Sequence, residues 1–181
     1  MASFSRLITV EQFWELPDDN FPEAFLHELQ HGEIVALPRP KHGLYEVQFG
    51  LFRLLDARLR SFGMVGFEMA YRPLPEFELR AADVAFVSQA RWDGVNPDDV
   101  LHGSPDLLVE VMSPSSTEKG LREVVCYGLA TDAKEVWIVD GGQKSVTAFR
   151  GDGVPAVFTS GDALSLAAFG GGELAVDEIF S

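Results

Sequence analysis

Cysteine is almost absent from this chain: Cys126 is the single one in 181 residues. One thiol closes no internal disulfide and builds no zinc knuckle. Its setting, Val124-Val125-Cys126-Tyr127, is apolar, so a buried structural thiol is expected there. Basic side chains are scarce as well, with 14 Lys and Arg against 28 Asp and Glu and a net charge of −14. Nucleic-acid affinity rests largely on neutralising phosphates with Lys and Arg, so this balance argues against tight non-specific binding to DNA. It leaves room for a local basic rim, or for metal ions that offset carboxylates at one site. No apolar stretch approaches the roughly 20 residues that a membrane-spanning helix needs. The first residues, MASFSRLITVEQFWEL, hold no charged segment followed by an apolar run, and a cytoplasmic location is expected. Two catalytic signatures are also missing. No G-x-S-x-G nucleophile elbow occurs, and Gly170-Gly171-Gly172 lacks the Lys-Ser/Thr pair of a phosphate-binding loop.

What is present is an ordinary globular composition, 46% hydrophobic and 23% charged, with 14 Phe and three Trp to fill a core. The length suits one domain over 1–181. Thr9 with Gln12 three residues on makes a capping box for a short helix, which residues 17–20 end. A mixed segment over 21–37 runs into the breaker Pro38-Arg39-Pro40. Between His42 and Phe62, the residues Val47, Leu51, Leu54, Leu55 and Leu59 recur at helical spacing, and Gly63 stands where a C-cap belongs. Residues 64–80 read as strands with proline bends, and Asp83 opens a short apolar strand over 83–87. Leu107-Leu108-Val109-Glu110-Val111-Met112 is a nearly continuous apolar run, the pattern of a central strand covered on both faces. Residues 113–117 end it and a helix follows to Ala130. Another strand over 135–140 turns at Gly141-Gly142 into a hairpin partner over 145–149. This order predicts an α/β (α+β) fold, a central mixed β-sheet flanked by helices.

Glu110 is the informative oddity. A carboxylate inside an apolar strand is costly unless it is paired, protonated or bound to a metal. It shares a strand face with Leu108 and Met112. If the strand that Asp83 opens lies beside it, the two carboxylates form a hard-oxygen site suited to Mg²⁺ or Mn²⁺. A structural alternative is a sheet-edge position or an Arg partner. A second motif, His27-Glu28-Leu29-Gln30-His31, matches H-E-x-x-H, which on a helix binds zinc with the Glu as base. Gly32 follows at once and residues 33–37 read as a strand. If 27–31 is extended, its two His lie roughly 13 Å apart at about 3.3 Å per residue and cannot share one metal. His42 and His102 are lone histidines, and Lys119, Arg122 and Lys134 follow the Glu110 strand as charged surface.

The run from Pro105 to Ser116, with Glu110-Val111-Met112-Ser113-Pro114-Ser115 at its centre, resembles the signature of the Uma-two family of restriction-endonuclease-type domains. Other segments match in order: His27-Glu28-Leu29, Gly32-Glu33-Ile34-Val35, Pro40-Lys41-His42, Ala82-Asp83-Val84-Ala85-Phe86-Val87, Val136-Trp137-Ile138-Val139-Asp140 and the closing residues 174–180. The resemblance implies a PD-(D/E)XK-like core in which Asp83 is the first metal-binding acid and Glu110 the second, with Glu28 and His42 near them. It implies a Mg²⁺- or Mn²⁺-dependent endonuclease acting on DNA. The sequence departs from that pattern at three places. Met112 stands two residues after Glu110, where a standard nuclease motif has Lys. Glu123, four residues before Tyr127, stands where this family usually carries its Lys. Ala82 replaces the Pro that often precedes the first acid. Arg122 or Lys119 would then have to supply the positive charge. The alternatives are a non-catalytic binding or assembly protein that keeps the fold, and, third, a zinc hydrolase at His27 and His31. A homodimer is expected from the exposed strands and the many Phe.

Overall fold

The computed structural model describes residues 7–17, 21, 25–151 and 153–181. Helix α1 (Val10–Trp14) begins at the expected capping box: the Thr9 hydroxyl accepts from the Gln12 N–H, and the Gln12 side chain accepts from the Thr9 N–H. The residues that were to end it, 18–20, and the stretch 22–24 before the His27 motif lie outside the described residues. Strands β1 (Phe25–Gln30) and β2 (Glu33–Pro38) form an antiparallel hairpin. Its two turn residues, His31 and Gly32, have φ of 53° and 74°, the left-handed pair that a tight two-residue hairpin turn demands.

Then come α2 (His42–Leu59), β3 (Gly63–Arg72), β4 (Arg80–Ser88), α3 (Gln89–Trp92), β5 (Leu101–His102) and β6 (Leu107–Val111). They are followed by α4 (Glu118–Ala130), β7 (Glu135–Asp140), β8 (Ser145–Arg150) and β9 (Ala156–Phe158), and by a closing β10 (Ala163–Ser165), β11 (Glu173–Ala175) and α5 (Val176–Ile179). Seven strands make one mixed sheet in the order β5-β3-β4-β6-β7-β8-β9. The β3–β5 and β6–β7 pairs are parallel, and the others antiparallel. This is the predicted α/β architecture, a central mixed sheet with helices.

Both faces of the sheet centre are covered, which is why β6 reads as unbroken apolar sequence. On one face Leu51, Leu55 and Leu59 of α2 pack with Val84, Phe86, Val109, Val111 and Trp137, and the tail adds Leu164, Leu174 and Ile179. On the other, Leu121, Val124, Val125 and Leu129 of α4 cover Ala85, Leu108, Val136 and Ile138. Each such buried aliphatic side chain is worth about 1.5–3 kcal/mol. Val10, Phe13, Leu29 and Leu79 form a smaller third cluster where α1 and the hairpin meet β4.

Three expectations are corrected. Gly63 is not a helix cap: α2 closes at Arg60 in right-handed conformation, and Gly63 is the first residue of β3. It is glycine because β4 passes so close that a Cβ would stand 2.1 Å from the Val87 carbonyl oxygen. Asp83 does not open a strand but lies in the middle of β4, because Arg80 to Ala82 are already paired with β3. Cys126 is exposed, since α4 buries Val124 and Val125 and turns the thiol outward.

Candidate active site at a notch in the sheet

Strand β4 changes partner along one edge. At Leu79, just before the strand, its backbone exchanges two hydrogen bonds of 2.9 Å with Leu29 of β1. From Val84 onward the partner is β6, through Val84↔Val109, Ala85↔Leu108 and Phe86↔Leu107. Ala81 to Asp83 lie between, paired to β3 on the far edge only as far as Ala82. The gap is a notch, and carboxylates close it. Glu28 of β1 accepts the Ala81 N–H at Oε1 (2.9 Å) and the Gln30 amide at Oε2 (2.7 Å). Asp83 accepts the Val111 N–H at Oδ2 and the Gln48 amide at Oδ1, both at 2.7 Å.

Continuing the β4–β6 register places Glu110 directly across from Asp83. The same continuation on the other side places Glu68 of β3 across from Asp83, and there the ladder is interrupted: Glu68 has φ of 48°. Side-chain alternation slips at this point in both strands. Val65 and Phe67 face α2 whereas Met69 and Tyr71 face the other way, and Val84 faces α2 whereas Ala82 does not. The kink lets Asp83 reach Gln48 on α2 while Glu110 stays on the Leu108 face.

Glu110 is only partly exposed, and among the described residues its carboxylate has no hydrogen bond and no ion pair. The sheet-edge and Arg-paired alternatives therefore do not describe it: β6 is an inner strand, flanked by β4 and β7. Burial, reinforced by the charges of Asp83 and Glu28, pushes the Glu110 carboxyl well above the usual carboxylate range. Burial raises Asp83 to about 6, in spite of its bonds from Val111 and Gln48. Burial raises Glu28 too. Tyr71, opposite Arg80 in the register, is pushed well up by burial and by the nearby Glu110 charge. Burial is the leading cause for each of these acids.

The residues fit a small divalent cation in part. Asp83 and Glu110 offer hard oxygens, and Mg²⁺ is commonly bound by one or two carboxylates with water completing its shell. Gln48 Oε1 beside them is buried without a hydrogen-bond partner. Among the described residues no group of three His, Cys, Asp or Glu side chains forms a ligand set by itself, so Glu28 stands outside the pair.

The other residues singled out from sequence are placed elsewhere. His42 starts α2, exposed, 3.3 Å from Glu46. Arg122 and Lys119 are exposed on α4; Arg122 pairs with Glu118, and Lys119 lies 3.6 Å from Glu123. Among the described residues neither makes a hydrogen bond or ion pair with Asp83 or Glu110. His27 lies in β1 and His31 in the turn, so the H-E-x-x-H residues have no common helix face and the zinc-hydrolase reading falls. His102 pairs with Asp99 at 2.9 Å.

Two residues near the notch went unnoticed in the sequence. Gln48 sits on the buried stripe of α2, in step with Leu51, Leu55 and Leu59, and a polar residue on that stripe was the signal. Arg80 is buried in β4, its Nε 2.9 Å from Glu78 Oε2, its guanidinium 5.4 Å above the Tyr127 ring. The alternation Glu78-Leu79-Arg80 ahead of an apolar strand was the only hint.

The chain superposes on a solved structure titled as a putative nuclease belonging to DUF820 from Anabaena variabilis ATCC 29413, with a TM-score of 0.78 over 96% of this chain and 97% of that one. Sequence identity is 18%, so this likeness concerns the fold. The family Uma2, described as putative restriction endonuclease, matches residues 10–177, and the chain belongs to that family. No curated protein matches it. No helix among the described residues is long and apolar enough to cross a membrane.

Proposed function

We propose that this protein is a Mg²⁺-dependent endonuclease that hydrolyses DNA phosphodiester bonds at the notch, with Asp83 and Glu110 holding the metal. The observation that supports this most is the unpartnered, partly buried Glu110 carboxylate across from Asp83. A divalent cation bound there would polarise the phosphodiester and acidify a water molecule. The chain's own groups prepare the place. The Val111 N–H and the Gln48 amide fix the Asp83 carboxylate in one orientation, and the Ala81 N–H does the same for Glu28. A cation held there would favour the ionised form of Glu110, offsetting the burial and the charges of Asp83 and Glu28 that raise its carboxyl.

Calorimetric titration of Mg²⁺ and Mn²⁺ tests the site, alongside cleavage of plasmid DNA. Wild type should bind metal and nick DNA, and Glu110→Gln and Asp83→Asn should do neither. Metal-dependent cleavage that survives both substitutions refutes the mechanism. A second reading, a binding or assembly protein that keeps the fold without catalysis, is favoured by Glu123, a carboxylate at the position where the family usually has Lys, and by the net charge of −14. Wild-type protein that binds no metal at millimolar concentration would select it.

A further inference from the structure

The notch has a cation of its own, and it is not on α4. Arg80 precedes Asp83 by three residues in β4 and is 5% exposed. Its Nε is bound to Glu78, its plane lies over Tyr127, and its Nη2 is buried with no hydrogen-bond partner. A guanidinium carries five N–H donors in a fixed fork, and leaving buried ones unmade is costly. Glu123 Oε2 lies 3.8 Å from that nitrogen, an ion-pair distance beyond hydrogen-bond reach. Glu123 is held loosely by its other neighbours, with Lys119 at 3.6 Å and His31 at 3.4 Å. The charge of Arg80 is also felt by Glu110 and Glu28.

On the outer side, an open groove of about 450 Å³ runs along α4, lined by Glu118, Lys119, Arg122, Glu123, Cys126 and Tyr127. Arg80 lies against Glu123 and Tyr127, two of the residues that line this groove. An anion that displaced Glu123 would gain the free Nη2 donor and leave the net charge around Arg80 unaltered. Arg matches the paired oxygens of a phosphate in geometry as well as charge.

We propose that Arg80 is the phosphate-binding residue of this site, that its Nη2 takes a backbone phosphate of a nucleic-acid strand lying in the α4 groove, and that Glu123 occupies that place when no strand is bound. Lys119 and Arg122 then flank the strand from the groove wall and do not enter the notch. The assignment rests on the nuclease reading above. It gives Glu123 a role as the counter-ion of Arg80.

The test is fluorescence anisotropy of a labelled DNA duplex in calcium, with wild type, Glu123→Gln, Arg80→Lys and Arg80→Gln. Glu123→Gln is a partly exposed change on α4 that leaves the core intact. It should bind about tenfold tighter, Arg80→Lys should bind roughly threefold weaker with its salt slope kept, and Arg80→Gln should bind about tenfold weaker with its salt slope reduced by about one. Equal affinity of wild type and Glu123→Gln overturns the proposal, and so does the absence of binding in all four proteins. Failure of the catalytic reading shows separately. Protein that binds DNA in this Arg80- and Glu123-dependent way, yet never cleaves it with Mg²⁺, leaves the phosphate site standing and removes the hydrolysis.

Discussion

Replacing Asp83 by Asn should make the metal-free protein more stable at neutral and alkaline pH. The carboxyl is raised from 3.8 to about 6 by burial, so the folded chain holds its proton more tightly than the unfolded chain does. A raised folded-state pKa contributes stability that is fully present below about pH 4 and is lost as the pH climbs through about 6. A rise of roughly two units corresponds to about 3 kcal/mol of penalty for the ionised form at pH 8. Asn carries no charge at any pH. Its Oδ1 can keep the Val111 N–H, and its Nδ2 can meet Gln48 once that amide turns over, so the hydrogen bonds survive. The expected gain is about 2–3 kcal/mol, or roughly 4–10 °C in Tm for a chain of this size. Thermal and urea unfolding in EDTA at pH 8 and pH 5 would measure it, and the gap should narrow at the lower pH. Asp83→Ala is the control, because it strands the Val111 N–H and should cost about 1–3 kcal/mol. If Asp83→Asn is no more stable than wild type at pH 8, or if its advantage does not shrink towards pH 5, the electrostatic account of the notch is wrong.

Glu110→Gln should stabilise the apo protein at pH 8 in the same direction, and should abolish the Tm increase expected of the wild type in millimolar Mg²⁺ through binding to the folded state. Mg²⁺ affinity measured by calorimetry should weaken as the pH falls below about 6, where protons hold Asp83. Gly63→Ala should destabilise by about 1–3 kcal/mol in denaturant, since the new methyl collides with the Val87 carbonyl and overpacking costs that much. Cys126 should react with a thiol reagent at nearly the same rate in native and unfolded protein, because the folded chain leaves it exposed.

Much of this frame was legible in the sequence, and the legible parts share a cause. The capping box at Thr9, the apolar stripe of α2, the doubly buried β6 and the β7–β8 hairpin are local patterns, and local geometry fixes them. The position of Glu110 was legible because an acid in an apolar strand stands out against its neighbours. The notch itself was not legible. It arises from β4 exchanging β1 for β6 between Leu79 and Val84, a long-range event that leaves no periodic trace in residues 79–84. Arg80 was hidden for the same reason: an Arg at the start of an apolar strand looks like surface until β1, Glu78 and Tyr127 close over it. Cys126 misled because apolar neighbours along the chain are not neighbours in space on a helix, where successive residues face different ways.

The arrangement at the notch also bears on which reading of the protein is right. Asp83, Glu28 and Glu110 are all raised by burial, so each costs the folded chain stability when ionised at neutral pH. Asp83 and Glu28 cap backbone N–H groups, a task that a neutral amide oxygen performs nearly as well without the charge. Glu110 caps nothing, so a purely structural role gives no reason for an acid there. Arg80 offsets the cluster only in part, because Glu78 holds its Nε and Glu123 stands beside its Nη2. What the site lacks is a cation between Asp83 and Glu110 and a hydrogen-bond acceptor at the unpartnered Nη2 of Arg80. A divalent cation and a phosphodiester would meet those two needs together.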